Sequence, residues 1–468
     1  MRRLAPVALA LAALAPSLGC SAVLNFNECN QDADCAKRAP LGYSASDMFC
    51  TSDHLCVVGT PDEKLCSWAG GVTLDQHPTV IGGLFRLSGA ADAKDTSMAD
   101  AAILAANELV KDNQRPIALV MCDTAGPQQP NNGPTQATRA LERVVKSFGA
   151  VAIVGPTTSG DVVDSYPFAV QHDVLVVSPS ATSPTITSLA DNGLVWRTAA
   201  SDNLQAKVLA QQAKTWPMPA TPLNITYVSS NYGVGLEVSF IAAWGGTPVN
   251  TYEFNTGDDP NGIVGNLAKD TPAVSLIIAD DDAAAIVHAL STPTSALAST
   301  KFLMTDGAKG SDLLTMPDPS VLSRIRGTGP GVDTSSPVFT AFRGTYVNMF
   351  GEDPTATSFV VNTYDALYVT AIAVAAAPSP RPTGQELALI LSRMSNKGGK
   401  TINVGPVDYV NAVTELAAGG AIDIVGTSGP LDFDNTSGDV VTAPIEVWTI
   451  DTSIPTDPKF VTLQITVP

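Results

Sequence analysis

The chain has 468 residues, 45% of them hydrophobic, with 37 glycines and 34 prolines, the composition of a turn-rich globular protein long enough for two or three domains. Its formal net charge of −19 argues against a nucleic-acid partner, whose phosphates need Lys and Arg. The acidity is spread along the chain rather than gathered in a tail, and serves solubility.

Met1-Arg-Arg is a short positive region, followed by an apolar run from Leu4 to Leu18 that Pro6 and Pro16 interrupt. The run is too short and too broken to span a bilayer, so residues 1–19 read as a signal peptide and leave the fold argument. It ends Ser17-Leu-Gly-Cys20-Ser21, which resembles a bacterial lipobox with Ser17 where leucine is usual. The resemblance implies that Cys20 is the lipidated first residue of the mature protein. With Ser21 after it, the anchor is expected in the outer membrane, facing periplasm or cell surface. The alternative is ordinary cleavage that leaves Cys20 a free thiol.

Export implies an oxidising compartment, in which cysteines are read as pairs. Residues 20–75 hold Cys29, Cys35, Cys50, Cys56 and Cys66, spaced C-x5-C-x14-C-x5-C-x9-C, and Cys122 lies beyond. No pair has x2 spacing and His54 is the only nearby histidine, so a zinc site is disfavoured. The segment reads as a disulfide-stapled tether. Five cysteines leave one over, most simply Cys66, as a partner for Cys122; equally, Cys122 is a buried free thiol on a strand.

From Thr79 the pattern alternates between strands and helices. Val80–Leu87 and Ile117–Met121 are strands; Ser97–Val110 and Thr135–Phe148 are helices with apolar residues at helical spacing. Then come two strands, Val151–Val154 and Val174–Val177, with a helix between them. Each strand ends in a small hydroxyl-rich turn, Gly155-Pro-Thr-Thr-Ser159-Gly and Ser178-Pro-Ser180-Ala-Thr182-Ser-Pro. Parallel neighbours put both turns at one carboxyl edge, where open α/β sheets bind ligands. Hydroxyls, backbone N–H groups and a helix N-terminus suit an anionic group such as a carboxylate.

A second α/β set follows Trp196–Ala200. Its strands are Asn224–Val228, Val249–Phe254, Ala273–Ala279 and Lys301–Thr305; its helices are Asn203–Thr215, Leu236–Trp244, Ile263–Lys269 and Ala283–Leu290. Arg324–Gly331 breaks the pattern, and within it Gly327–Gly331 reads as a turn. A helical tract (Val338–Phe350, Ser358–Ala377, Gly384–Met394) and two short strands (Pro444–Thr449, Lys459–Thr466) close the chain. The expected fold is two doubly wound α/β lobes joined by several crossings, near Trp196–Ala200, Arg326–Gly331 and Gly426–Pro430. Lobe I comprises residues 76–198 and 330–427, and lobe II residues 199–329 and 428–468.

Four motifs in order resemble the type I periplasmic binding proteins, in particular the branched-chain amino acid (leucine/isoleucine/valine) receptors. They are Val154-Gly-Pro-Thr-Thr-Ser159, Val177-Ser-Pro-Ser-Ala-Thr-Ser-Pro-Thr-Ile-Thr187, Asn231-Tyr-Gly-Val-Gly-Leu236 and Asn362-Thr-Tyr-Asp-Ala-Leu-Tyr368. The resemblance implies that Ser159, Ser180 and Thr182 hold a ligand carboxylate and that Tyr232 covers the ligand from the second lobe. Asp306 falls where the family often has an acid for the ligand ammonium. Two positions depart from that pattern. Ala90-Ala-Asp-Ala-Lys94 lacks the usual aromatic residue, and Asp280-Asp-Asp282 stands where a tyrosine is common. Both changes point to a less apolar, more acidic pocket, with Asp281 a candidate contact and a polar or cationic amino acid or larger polar solute the expected ligand.

Beside these readings stand bland ones: Ser159 and Thr182 as helix caps, Asp306 as a turn residue with Gly307, Tyr232 as a packed aromatic, and the Asp280–Asp282 run as a solvated helix start. Arg197 reads as a structural ion pair. No His-Glu-x-x-His or Gly-x-Ser-x-Gly motif occurs, and the four histidines lie far apart in sequence, so neither an enzyme, a metal site nor a cofactor is expected. The expected partners are a small ligand, a membrane through the lipid anchor, and an ABC-type permease. Sensing rather than transport, or a scaffold with a vestigial cleft, are the alternatives.

Overall fold

The computed structural model describes residues 29, 32–35, 48–50, 56–58, 65–89, 92–110, 115–126, 134–216, 222–246, 249–291, 295–315 and 318–468. The signal segment and Cys20 lie outside them. Two compact units are present, 1–65 and 66–468. In the first, strands β1 (Met48–Cys50) and β2 (Cys56–Val58) pair antiparallel, and Cys29 and Cys35 each take part in a disulfide. The side chains of Cys50 and Cys56 lie outside the description.

The second unit contains two large sheets. The first has the order β3-β5-β4-β6-β7-β8, formed by Cys66–Gly71, Ile117–Asp123, Thr79–Phe85, Ala152–Val154, Leu175–Ser178 and Val195–Arg197. All its pairings are parallel except that of the edge strand β3 with β5, whose register sets Cys66 against Cys122. Those two cysteines form a disulfide. The strand Cys66–Gly71, read from sequence as part of the tether, therefore belongs to the first sheet, ahead of the residue-76 start expected for that lobe. β5, β6 and β7 are almost wholly buried and carry the near-continuous apolar runs that a parallel sheet covered on both faces requires.

The second sheet has the order β10-β9-β11-β12-β13-β16-β17, formed by Asn250–Phe254, Leu223–Val228, Val274–Ile278, Lys301–Met304, Ile325–Pro330, Ile445–Asp451 and Lys459–Thr466. Alternate residues of its strands feed two separate cores. Ile277, Phe302 and Met304 pack with Ile263, Ile286 and Val287 on one face. Ile225, Leu276, Ile278 and Leu303 pack with Leu209, Leu236 and Phe240 on the other. This is the period-2 alternation of a sheet with helices on both sides.

Ile325–Pro330 is a correction. The glycines and proline of Arg324–Gly331 suggest a turn, but the segment is a strand inside the sheet. Glycine is needed there for another reason: a Cβ at Gly327 would collide with the Trp448 ring, a buried member of this lobe's core. β14 (Lys400–Asn403) and β15 (Ile422–Val425) form a small parallel pair, and helix Tyr409–Ala417 lies between them in sequence; none of the three was expected.

Helix Val360–Ala376 is buried on nearly every side and runs through the core of the first lobe. Leu431, Phe433 and Val440 join that core too, so the chain re-enters the second sheet only at β16. Where the chain crosses between lobes, side chains pin the backbone. Asn362 Nδ2 donates to Thr198 O and Thr198 Oγ1 donates to Asn362 O, both at 2.8 Å. Within the first lobe Asp365, fully buried, accepts from Thr427 N (2.7 Å), Thr427 Oγ1 (2.8 Å), Ser428 N (2.9 Å) and Ser428 Oγ (2.6 Å).

Candidate functional site

Both sheets have a topological switch point, where strand order reverses and a crevice opens at the carboxyl ends. In the first it lies between β4 and β6; in the second, between β9 and β11. The segments leaving these four strands carry Arg86 and Lys94, Thr157–Ser159, Tyr232, and Asp280, and β7 and β12 add Ser180 and Asp306. All of these residues line one cavity of about 40 Å³, together with Asp95, Met98, Gly307 and Phe359. On that scale a water needs ~10–15 Å³, so the cavity has room for about three.

The hydroxyl end is assembled from local turns. Thr158 caps helix Ser159–His172, its side chain accepting from Asp161 N at 3.1 Å. Ser159, the first helical residue, accepts from Ser183 N at 3.1 Å through Oγ, which leaves its own proton free to donate. Ser180 Oγ donates to Thr157 O at 2.7 Å. Its hydroxyl proton is thereby used, so towards a ligand this hydroxyl can only accept. Arg197 is completely buried and fixes the second turn from behind. Its guanidinium donates to Ala181 O (3.2 Å) and Ser183 O (2.9 Å) and pairs with Asp439, Nε to Oδ1 at 2.7 Å. The structural ion pair expected of Arg197 is present, and it also organises the turn.

On the second lobe Tyr232 lies in the first turn of helix Asn231–Trp244 rather than in a loop. Its hydroxyl is 2.7 Å from Thr305 Oγ1 and 3.0 Å from Asp306 Oδ1. Gln205 Nε2 donates to the same Asp306 oxygen at 2.7 Å. Burial raises the Asp306 carboxyl above its ordinary value, while Lys94, Gln205 and Tyr232 oppose the shift. Burial, with the charge of Asp306 beside it, also lifts the Tyr232 phenol well above its usual range, so it stays a donor.

The charged end crosses the cleft. Arg86 holds Asp95 in its own lobe through Nε and Nη2, each 3.0 Å from Oδ2, and reaches Asp281 of the other lobe through Nη1 at 2.7 Å. Lys94 Nζ donates to Asp280 Oδ1 at 2.8 Å and to Gly307 O at 3.3 Å. Burial disfavours both cations, but the carboxylates outweigh it: Asp280, Asp95 and Asp281 raise Arg86, and Asp280 raises Lys94. Burial likewise disfavours the Asp280 charge, yet Lys94 and Arg86 bring its carboxyl below the ordinary value. Ser183 Oγ adds a cross-lobe bond to Asn231 O at 2.9 Å. The two lobes are closed on each other.

Of the residues expected at a ligand site, Ser159, Ser180, Tyr232 and Asp306 come together at this cavity. Thr182 and Asp281 do not line it. Thr182 instead faces the buried Asp202, whose carboxyl burial and the charge of Asp306 push well above its ordinary value while the Thr182 hydroxyl and Arg197 oppose the shift. Asp281 is taken by Arg86, and Asp280 faces the cavity instead. Asp280 and Asp281 are thus each paired with a first-lobe cation, Asp282 accepts from Gly257 N, and the cavity is lined by Arg86 and Lys94 against Asp95, Asp280 and Asp306. Sequence reasoning missed Arg86 and Lys94 as site residues. The available signal was the pairing of two departures: a lysine in the segment without its aromatic, and aspartates in place of the tyrosine.

A family model described as periplasmic binding protein matches residues 78–420. The chain belongs to the periplasmic binding protein family. Its relatives include the chemotactic signal transduction system substrate-binding protein BasB of Halobacterium salinarum, 26% identical over 368 residues, which are 76% of this chain and 84% of that protein. The leucine binding protein LivK of Thermotoga maritima has the same fold, with TM-score 0.66, 19% identity, and coverage of 83% of this chain and 99% of that one. So does a solute binding protein of an ABC transporter from Rhodopseudomonas palustris in complex with 3,4-dihydroxybenzoic acid, with TM-score 0.65, 13% identity, and coverage of 83% and 97%. Proteins of this fold thus differ in the ligands they hold. Among the described residues no helix is long and apolar enough to cross a membrane, and no cluster of His, Cys, Asp and Glu is arranged to hold a metal ion.

Proposed function

We propose that this chain is an extracytoplasmic, lipid-anchored solute receptor that captures a small polar ligand between two lobes and presents it to an ABC-type transporter. The observation that carries the reading is the convergence of both switch points on one cavity. Ser159 brings a free hydroxyl proton at a helix N-terminus; Tyr232 and Asp306 face it from the other lobe. Such an arrangement binds by hinge closure and offers no nucleophile–base pair for chemistry. Cys20 is the proposed lipid anchor, with the outer membrane its site. A second reading, in which closure signals to a sensory partner, is favoured by the similarity to a chemotactic substrate-binding protein.

A thermal-shift screen of the full chain against small carboxylates, amino acids and amides tests the proposal. A solute at 100 times its dissociation constant stabilises by about 2.7 kcal/mol. Ser159→Ala removes a hydrogen bond to a charged group, worth about 1.5–3 kcal/mol, and should weaken any hit at least tenfold. Hits that Ser159→Ala leaves unchanged would place the ligand elsewhere, and no hit in a broad panel would favour a scaffold with a vestigial cleft.

A further inference from the structure

From the geometry of the charged end we infer that the ligand is a carboxylate without an amine, because Lys94 supplies from within the protein the ammonium that a zwitterionic ligand would bring. The inference rests on the solute-capture reading and sharpens its ligand class.

Lys94 belongs to the first lobe, yet its ammonium reaches across the cleft to Asp280 Oδ1 and Gly307 O. Gly307 directly follows Asp306, the residue that would otherwise receive a ligand ammonium, and the Lys94 charge acts on the Asp306 carboxylate. Gln205 and Tyr232 both donate to one oxygen of Asp306, Oδ1. A second ammonium entering here would meet the like charge of Lys94, which is bonded to Asp280 and Gly307 O and acts on Asp306 through its charge.

A carboxylate meets the opposite situation. Lys94 has three N–H donors and uses two within the protein, so one remains. Ser159 keeps its hydroxyl proton, and the Ser159–His172 helix presents its N-terminus to the same cavity. Arg86 contributes charge but is committed through Nε and Nη2 to Asp95 and through Nη1 to Asp281. Lys94 is thus the cation left for a ligand. Buried Met98 and Phe359 give the cavity an apolar wall, which suits a carboxylate on a hydrocarbon or aromatic body.

Isothermal titration of the full chain with matched pairs decides the matter: propionate against alanine, 4-methylpentanoate against leucine, 3-phenylpropanoate against phenylalanine, with 4-hydroxybenzoate as an aromatic acid. The expected result is at least tenfold tighter binding of the amine-free member of each binding pair. Lys94→Met should weaken the carboxylates at least tenfold and narrow or reverse the preference, while its circular dichroism shows a folded protein. If that variant does not fold, Lys94→Arg, which keeps the charge, should retain the wild-type preference. Amino acids binding as tightly as their amine-free partners would overturn the inference and leave the receptor reading standing. Binding by no member of either set, nor by any solute of the broader screen, would overturn both.

Discussion

The two ends of the cleft are built in opposite ways. The hydroxyl end comes from two turns whose hydroxyls and backbone bond one another across about two dozen residues, and a buried arginine clamps the second. The charged end is assembled from side chains of both lobes, with Lys94 and Asp280 186 residues apart in the chain. The first end exists in one lobe whether the cleft is open or closed. The second exists only when the lobes meet. Anion recognition is therefore preformed, and discrimination is tied to closure.

The largest effect should come from undoing the clamp. Arg197→Met leaves Asp439 and two turn carbonyls without their partner, and breaking a buried ion pair costs about 3–5 kcal/mol. Urea denaturation should show that loss. A change under ~1 kcal/mol would mean that the turn holds itself and that the contrast between the two ends is overstated.

Acidity should separate the ends next. Burial pushes the Asp161 carboxyl, in the first turn of the Ser159 helix, up to about 6 from 3.8, and does the same to Asp365 inside the first lobe despite the four bonds it accepts. Their contribution to stability is full below 3.8 and is lost as pH rises through about 6. Asp280 runs the other way: its carboxyl is lowered, so its contribution is present above the ordinary 3.8 and is lost as pH falls through its depressed value. The melting temperature should therefore rise as pH is lowered from 7 to about 5 and fall again in stronger acid. Each raised carboxyl is worth about 3 kcal/mol across its window. Asp365→Asn should flatten the upper part of the profile; a flat wild-type curve would contradict the assignment.

The smallest effect tests the balance of charge at the second end. Asp280→Asn leaves Lys94 less compensated and should tighten carboxylate binding about tenfold, ~1.4 kcal/mol, measured by titration. Weaker binding would mean that Asp280 contacts the ligand itself.

The same contrast explains what was legible in the sequence. The parallel sheets, the turns after β6 and β7, and the placement of Ser159, Ser180, Tyr232 and Asp306 all rest on local patterns: apolar strand runs, hydroxyl-rich turns and ordered motifs. Ile325–Pro330 was misread because its glycines accommodate Trp448, more than a hundred residues away, rather than a turn. Cys66–Gly71 was missed because its pairing with β5 is non-local. The sequence offers the Asp280 run as a solvated helix start or, through Asp281, a ligand contact, because nothing in its neighbourhood reveals that Arg86 and Lys94 fold against it.

The central claim is that a ligand carboxylate lies between the first-lobe serine turn and Lys94. A crystal structure of the complex with the tightest-binding solute of the screen tests it most directly. The account predicts the carboxylate within hydrogen-bond distance of Ser159 Oγ and Lys94 Nζ, with Tyr232 over the ligand body. Ligand density instead in the cavity of about 250 Å³ beside Tyr364 and Glu108, with the Lys94–Asp280 region unchanged, would contradict it.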